Sequence, residues 1–172
     1  MKIVECAFLF FFLLSFGACL DEVLNEDELL SQQQAREYPN VDEALWPHFR
    51  AFEDAAAVRG ITVDLAATTI HGTIEEIDEE NIAGVCSYGG RQVHRDVTID
   101  QSFWNRASNL YREFIVFHEL GHCYLFRGHH EACLTNRTYA SIMRSGTGDC
   151  RDNYNPQTRN AYIDELFEVT GP

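Results

Sequence analysis

Positive charge is scarce in this 172-residue chain: 13 Lys and Arg stand against 27 Asp and Glu, for a formal net charge of -14. So acidic a chain has little to offer a phosphate backbone, which excludes nucleic acid as its main partner. Four prolines and 11 glycines leave no material for a Pro/Gly-rich linker, a low-complexity arm or a collagen-like repeat, and no internal repeat is found. The longest apolar run falls short of the roughly 20 residues that cross a bilayer as a helix. There is no C-x-x-C pair, which argues against a Cys-rich zinc site. What is present, 45% hydrophobic and 23% charged residues, is the composition of one ordinary globular domain, expected to act as a monomer.

The apolar run itself is an address. Phe8 to Phe16 follow a start containing Lys2 and are closed by Asp21 and Glu22, the layout of a secretory signal over residues 1–18. The stretch Ser15-Phe16-Gly17-Ala18-Cys19 sets two small residues before a cysteine and resembles the lipobox of bacterial lipoproteins. That resemblance implies acylation of Cys19 as the mature N-terminus and attachment to a membrane; the other reading is plain secretion after a cut at Gly17 or Ala18. Beyond Cys19 stand Cys86, Cys123, Cys133 and Cys150. These four can form two disulfides outside the cytosol, in three connectivities that the sequence does not choose among.

Residues 19–40 are acidic and Gln-rich with few large apolar side chains, and read as a solvated tether. The body, 41–172, opens with a helix over 43–59 that Asp42 can cap and Gly60 ends, its apolar period set by Leu45, Phe49, Phe52, Ala56 and Val58. Strands are expected at 61–65, 69–77, 84–88 and 97–99. A long helix over 104–127 and a closing helix after Pro156, docking through Ala161, Tyr162, Leu166 and Phe167, complete an α+β pattern with a small mixed sheet.

The long helix carries the chemistry. Within it lies His118-Glu119-Leu120-Gly121-His122, an H-E-x-x-H motif. Residues four apart share a helical face, so both imidazoles reach one metal, while Glu119, about 100° around the axis, approaches a metal-bound water without being a ligand. Two histidines and a glutamate in an otherwise apolar helix carry a desolvation cost unless they are partnered or metal-bound. Gly121 in the helix interior points to another segment crossing very close. A catalytic zinc needs a third protein ligand and one open position. A left-handed turn at Gly128 lets the chain reverse and present His129, with His130 and Glu131 as the alternatives. His48, His71 and His94 read as solvent-exposed or hydrogen-bonded side chains.

The motif, the glycine before a later histidine, and Ala140-Ser141-Ile142-Met143-Arg144 together resemble the metzincin clan of zinc metallopeptidases. The family pattern is H-E-x-x-H-x-x-G-x-x-H; here the glycine stands at 128 and the nearest histidine comes one residue late, so the loop after the helix must differ. The resemblance implies a zincin-like fold with a backing helix, Met143 as the turn methionine beneath the metal, one catalytic zinc on His118, His122 and His129, and Glu119 as general base. It also implies endopeptidase activity through zinc-bound water on a peptide or protein substrate lying along an exposed strand edge, for which 97–99 is the expected strand. The alternative is a catalytically inert, zinc-containing cell-surface binding protein on the same fold.

Overall fold

Residues 36–88 and 94–168 are described by a computed structural model; the expected leader, Cys19 and the tether up to residue 35 lie outside the described residues. The body begins earlier than the tether boundary at 40 implied. Tyr38 is buried, with its ring edge-on to Phe49 at 5.5 Å between centroids and its hydroxyl donating to Glu53 Oε2 at 2.7 Å.

The first helix forms where the apolar period places it. A 3-10 turn, Glu43–Leu45, leads into α1, Trp46–Ala57. Pro47 sits in the first helical turn, where a missing N–H costs nothing. Leu45, Phe49, Phe52 and Ala56 are fully buried, and Gly60 at φ 73° ends the segment; Val58, past the helix, is 84% exposed and not part of the apolar stripe. Asp42 does not cap this helix. Its carboxylate instead accepts the backbone N–H of Ile74 at 2.8 Å and so binds the turn to the sheet.

Among the described residues three strands make that sheet: β1 (Ile70–Glu75), β2 (Gly84–Tyr88) and β3 (Arg95–Asp100), in the order β1-β3-β2, with β1 parallel and β2 antiparallel to β3. The fold is therefore α+β on a small mixed sheet. The strand expected at 61–65 does not form. Glu53 Oε1, from α1, takes the Leu65 N–H at 2.6 Å, and a 3-10 turn, Leu65–Ala67, follows with the Asp64 carboxylate accepting from the Ala67 N–H. A side chain has satisfied the donor that a strand partner would have used. Strand β3, over whose residues 97–99 a substrate edge was expected, is the central strand with both edges paired; β1 and β2 are the outer strands, β1 carrying an isolated bridge from Gly72 to Val41.

The single long helix expected at 104–127 is two. Asp100 Oδ1 accepts from the Phe103 N–H at 2.6 Å and starts α2, Gln101–Arg106; Ser108 Oγ accepts from the Tyr111 N–H at 3.3 Å and starts α3, Asn109–Cys123. Each acceptor satisfies a donor orphaned at a helix start. The closing helix, α4 (Arg159–Phe167), buries Tyr162, Ile163, Leu166 and Phe167, while Ala161 faces solvent. The core joins these pieces: Phe52 of α1 meets Phe117 of α3 at 5.2 Å and Phe167 of α4 at 5.0 Å, with Val97 and Ile99 of β3 fully buried.

Among the described residues two disulfides cross-link the body. Cys86–Cys123 ties edge strand β2 to the last residue of α3, and Cys133–Cys150 closes the loop between α3 and α4. Such bonds suit an oxidising, extracytosolic compartment. Among the described residues no helix is long and apolar enough to cross a membrane. The Cys86–Cys123 link closes a loop with a sequence separation of 37, so replacing both cysteines by serine is expected to lower stability by about 4 kcal/mol in the chain-entropy picture. Equilibrium denaturant unfolding of the double variant measures this directly.

Candidate metal centre

Helix α3 sets the first two ligands. His118 and His122 are four apart and project from one face, as the helical turn requires, with their Nε2 atoms 3.0 Å from each other. Each ring is held from behind: His118 Nδ1 lies 2.9 Å from the Ile142 carbonyl oxygen and His122 Nδ1 lies 2.6 Å from that of Arg127. A carbonyl can only accept, so both Nδ1 atoms carry the hydrogen and both Nε2 atoms present a bare lone pair in the neutral ring. Two lone pairs aimed at each other across 3.0 Å repel unless a cation stands between their axes.

The third imidazole comes from the loop after α3. That loop turns at Phe126, which takes a left-handed φ of 57°, and not at Gly128 as expected; the Arg127 N–H reaches back to the Gly121 carbonyl at 2.9 Å. The early reversal brings His129 Nε2 to 3.2 Å from His122 Nε2. Tetrahedral zinc with bonds of about 2.0–2.1 Å separates its nitrogens by about 3.3 Å, and the observed spacings lie close to that. His118, His122 and His129 form a group that could hold a metal ion, graded from buried through half-buried to exposed.

Neither alternative third ligand joins them. The His130 ring lies 3.3 Å from Glu165 Oε1 and the backbone N–H of His130 donates to the Met143 carbonyl at 2.8 Å, while Glu131 Oε1 accepts the Ser145 N–H at 2.5 Å. That bond, foremost, holds the Glu131 carboxyl below its usual range.

The floor beneath the histidines is methionine. Met143 is fully buried, and a Cβ added at Gly121 would lie 2.3 Å from its sulfur; this is the close crossing that a glycine inside α3 implied. Glu165 of α4, absent from any sequence motif, secures the surrounding loops. It receives both the Arg127 guanidinium and the Ser141 hydroxyl, the latter at 2.6 Å, and Ser141 Oγ in turn accepts the Met143 N–H at 2.9 Å.

Above the histidines opens a groove of about 600 Å³, with Glu119 in its wall beside His118, His122 and His129, β2 along one side, and Phe103, Phe114 and Ile115 as an apolar flank. Gly84 of β2 was not singled out by sequence, yet a Cβ there would stand 2.9 Å from Glu119 Oε1; only glycine leaves the carboxylate its place. Tyr88 of the same strand donates to the His122 carbonyl at 2.9 Å, another role with no sequence signal. His48, by contrast, is buried edge-on against Trp104 at 5.4 Å and belongs to the core.

Burial tunes the charges. It lowers the His118 pKa to about 4, outweighing the Ile142 carbonyl, and lowers that of His122 as well, so both rings are neutral ligands at pH 7. Burial also raises Glu119 to about 8, against the pull of the Cys86 backbone N–H.

Two outcomes follow. Ala has about 1 kcal/mol better helix propensity than Gly, but Gly121→Ala must displace the buried Met143 sulfur, and overpacking of that kind costs about 1–3 kcal/mol. The variant is expected to be the less stable protein and to bind zinc more weakly, by thermal unfolding and metal titration. In the metal-free protein, the unfolded chain releases the Glu119 proton first, near 4.5, and the folded chain only near 8. The folded state thus holds the extra proton in that window, and stability falls as pH rises through it. Glu119→Gln cannot ionise, so its stability advantage over metal-free wild type is expected to widen from pH 4.5 toward 8 in urea titrations. No family model, curated protein or solved structure matches this chain.

Proposed function

We propose that this chain is an exported zinc metallopeptidase of the metzincin type, held at a membrane by a lipid on Cys19, with Glu119 as general base. The observation that carries the reading is the convergence of three imidazole Nε2 atoms in the wall of an open groove that also holds Glu119. Three protein donors complete all but one corner of a tetrahedral zinc, the arrangement of catalytic and not of structural sites. The Met143 thioether packed under Gly121 adds support for the metzincin likeness.

A zinc ion held by the trio supplies Lewis acidity, lowering the pKa of a water and polarising a scissile carbonyl. The chain's own residues do the rest. A cation on the trio would favour the ionised form of the neighbouring Glu119, and as the carboxylate Glu119 takes a proton from the attacking water and passes it to the leaving amine. Its placement depends on Gly84, whose missing side chain makes room for the carboxylate. Strand β2 borders the groove with one edge unpaired among the described strands, and an extended peptide adds to such an edge through backbone hydrogen bonds. Phe103, Phe114 and Ile115 offer an apolar wall to one large substrate side chain.

The test compares wild type, Glu119→Gln and His129→Ala on a mixed peptide library, with metal content measured on the same samples. Glu119→Gln is expected to keep the zinc on the trio and lose roughly 10²–10⁴-fold in cleavage rate, the usual worth of a general base. His129→Ala is expected to lose that zinc and the cleavage together. Zinc on the trio with no Glu119-dependent product overturns the peptidase reading and leaves the inert binding protein.

A further inference from the structure

A second cluster lies on the other face of the sheet. In the parallel β1–β3 pair, His71 stands in register with Asp96, and His94, just before β3, reaches the same Asp96 carboxylate. Val97 and Ile99, of opposite parity, point into the core beside α3, so His71, His94 and Asp96 look away from the trio. Thr73 and Thr98, whose hydroxyls are 3.5 Å apart, share the outer face and make it polar.

The three side chains converge. His71 Nδ1 lies 3.1 Å from Asp96 Oδ1, His94 Nε2 lies 3.5 Å from Asp96 Oδ2, and the two rings stack with centroids 5.0 Å apart and planes 12° from parallel. One donor atom from each falls within 4.8 Å of the other two. Side-chain exposures of 38%, 30% and 32% leave the cluster open to an ion from solvent and leave room for water to complete its coordination. Small rotations bring donors at these spacings to the roughly 3.3 Å that tetrahedral zinc sets between its ligands.

We infer that His71, His94 and Asp96 form a second divalent metal site, of the zinc class, on the solvent face of the sheet. Two imidazoles and a carboxylate suit zinc; calcium and magnesium prefer all-oxygen sites. An ion here links β1 to the residue leading into β3 and so braces the central strand from the side opposite the trio. The site is structural: none of its three residues lines the groove. It stands whether or not the chain is a peptidase.

The full chain, stripped of metal and dialysed against zinc, is expected to bind two ions. His71→Ala/His94→Ala should bind one and keep whatever cleavage wild type shows. His118→Ala/His122→Ala should also bind one, and its thermal midpoint should rise with zinc; adding Asp96→Asn should abolish both the binding and the rise. Because His94 lies outside the strands, His94→Ala alone serves if a double variant fails to fold, with a several-fold weaker second zinc as the expected result. A wild-type stoichiometry of one ion that survives His71→Ala/His94→Ala unchanged, or a His118→Ala/His122→Ala protein with no zinc-dependent shift, overturns the second site. Loss of cleavage reading alone, with two ions bound, would instead count against the peptidase.

Discussion

Two neutral imidazoles facing each other with bare Nε2 atoms 3.0 Å apart form the constraint on which the rest of the site depends. Their orientation is fixed from outside the helix by the carbonyls of Ile142 and Arg127. One belongs to the segment of Met143 and the other to the loop that delivers His129. The groups that aim the ligands therefore sit on the same two segments that supply the third ligand and the floor, and displacing any of them disturbs all. Burial keeps the rings uncharged and ready to donate, while leaving the site short of positive charge that a cation would provide.

That coupling explains the reinforcement around it. Glu165 gathers Arg127 and Ser141 onto α4, so the closing helix fixes both segments at once. The Cys86–Cys123 bond fastens the end of α3 to β2, and Tyr88 adds a hydrogen bond from β2 to the His122 carbonyl. The edge strand, the ligand helix and Glu119 are thereby kept at one distance from each other. Gly84 and Gly121 mark two places where a side chain, Glu119 at the first and Met143 at the second, lies so close to the backbone that an added methyl group would collide with it.

Much of this was legible because it is local. The H-E-x-x-H spacing put two ligands and an acid on neighbouring faces of one helix, the period of Leu45, Phe49, Phe52 and Ala56 marked the buried face of α1, and Gly121 announced a close crossing. His129 could be favoured on a reversal expected at Gly128, although the reversal happens at Phe126. What stayed hidden depends on contacts distant in sequence. A side chain of α1 took the donor that a strand at 61–65 needed, and Ser108 divided one apolar helical stretch into two helices. Whether β2 or β3 forms the sheet edge follows from strand order, which no short pattern encodes. The same holds for His71, His94 and Asp96: only the β1–β3 register makes neighbours of residues that look like scattered surface side chains. Glu165 and Gly84 are likewise ordinary residues whose importance comes from what folding brings against them.

The most direct measurement is a crystal structure of the protein grown with zinc, with an anomalous difference map at the zinc edge. A peak is expected about 2.0–2.1 Å from Nε2 of His118, His122 and His129, with a solvent oxygen as the remaining neighbour. No peak within the trio, or a fourth protein side chain filling the open corner, would contradict the central claim.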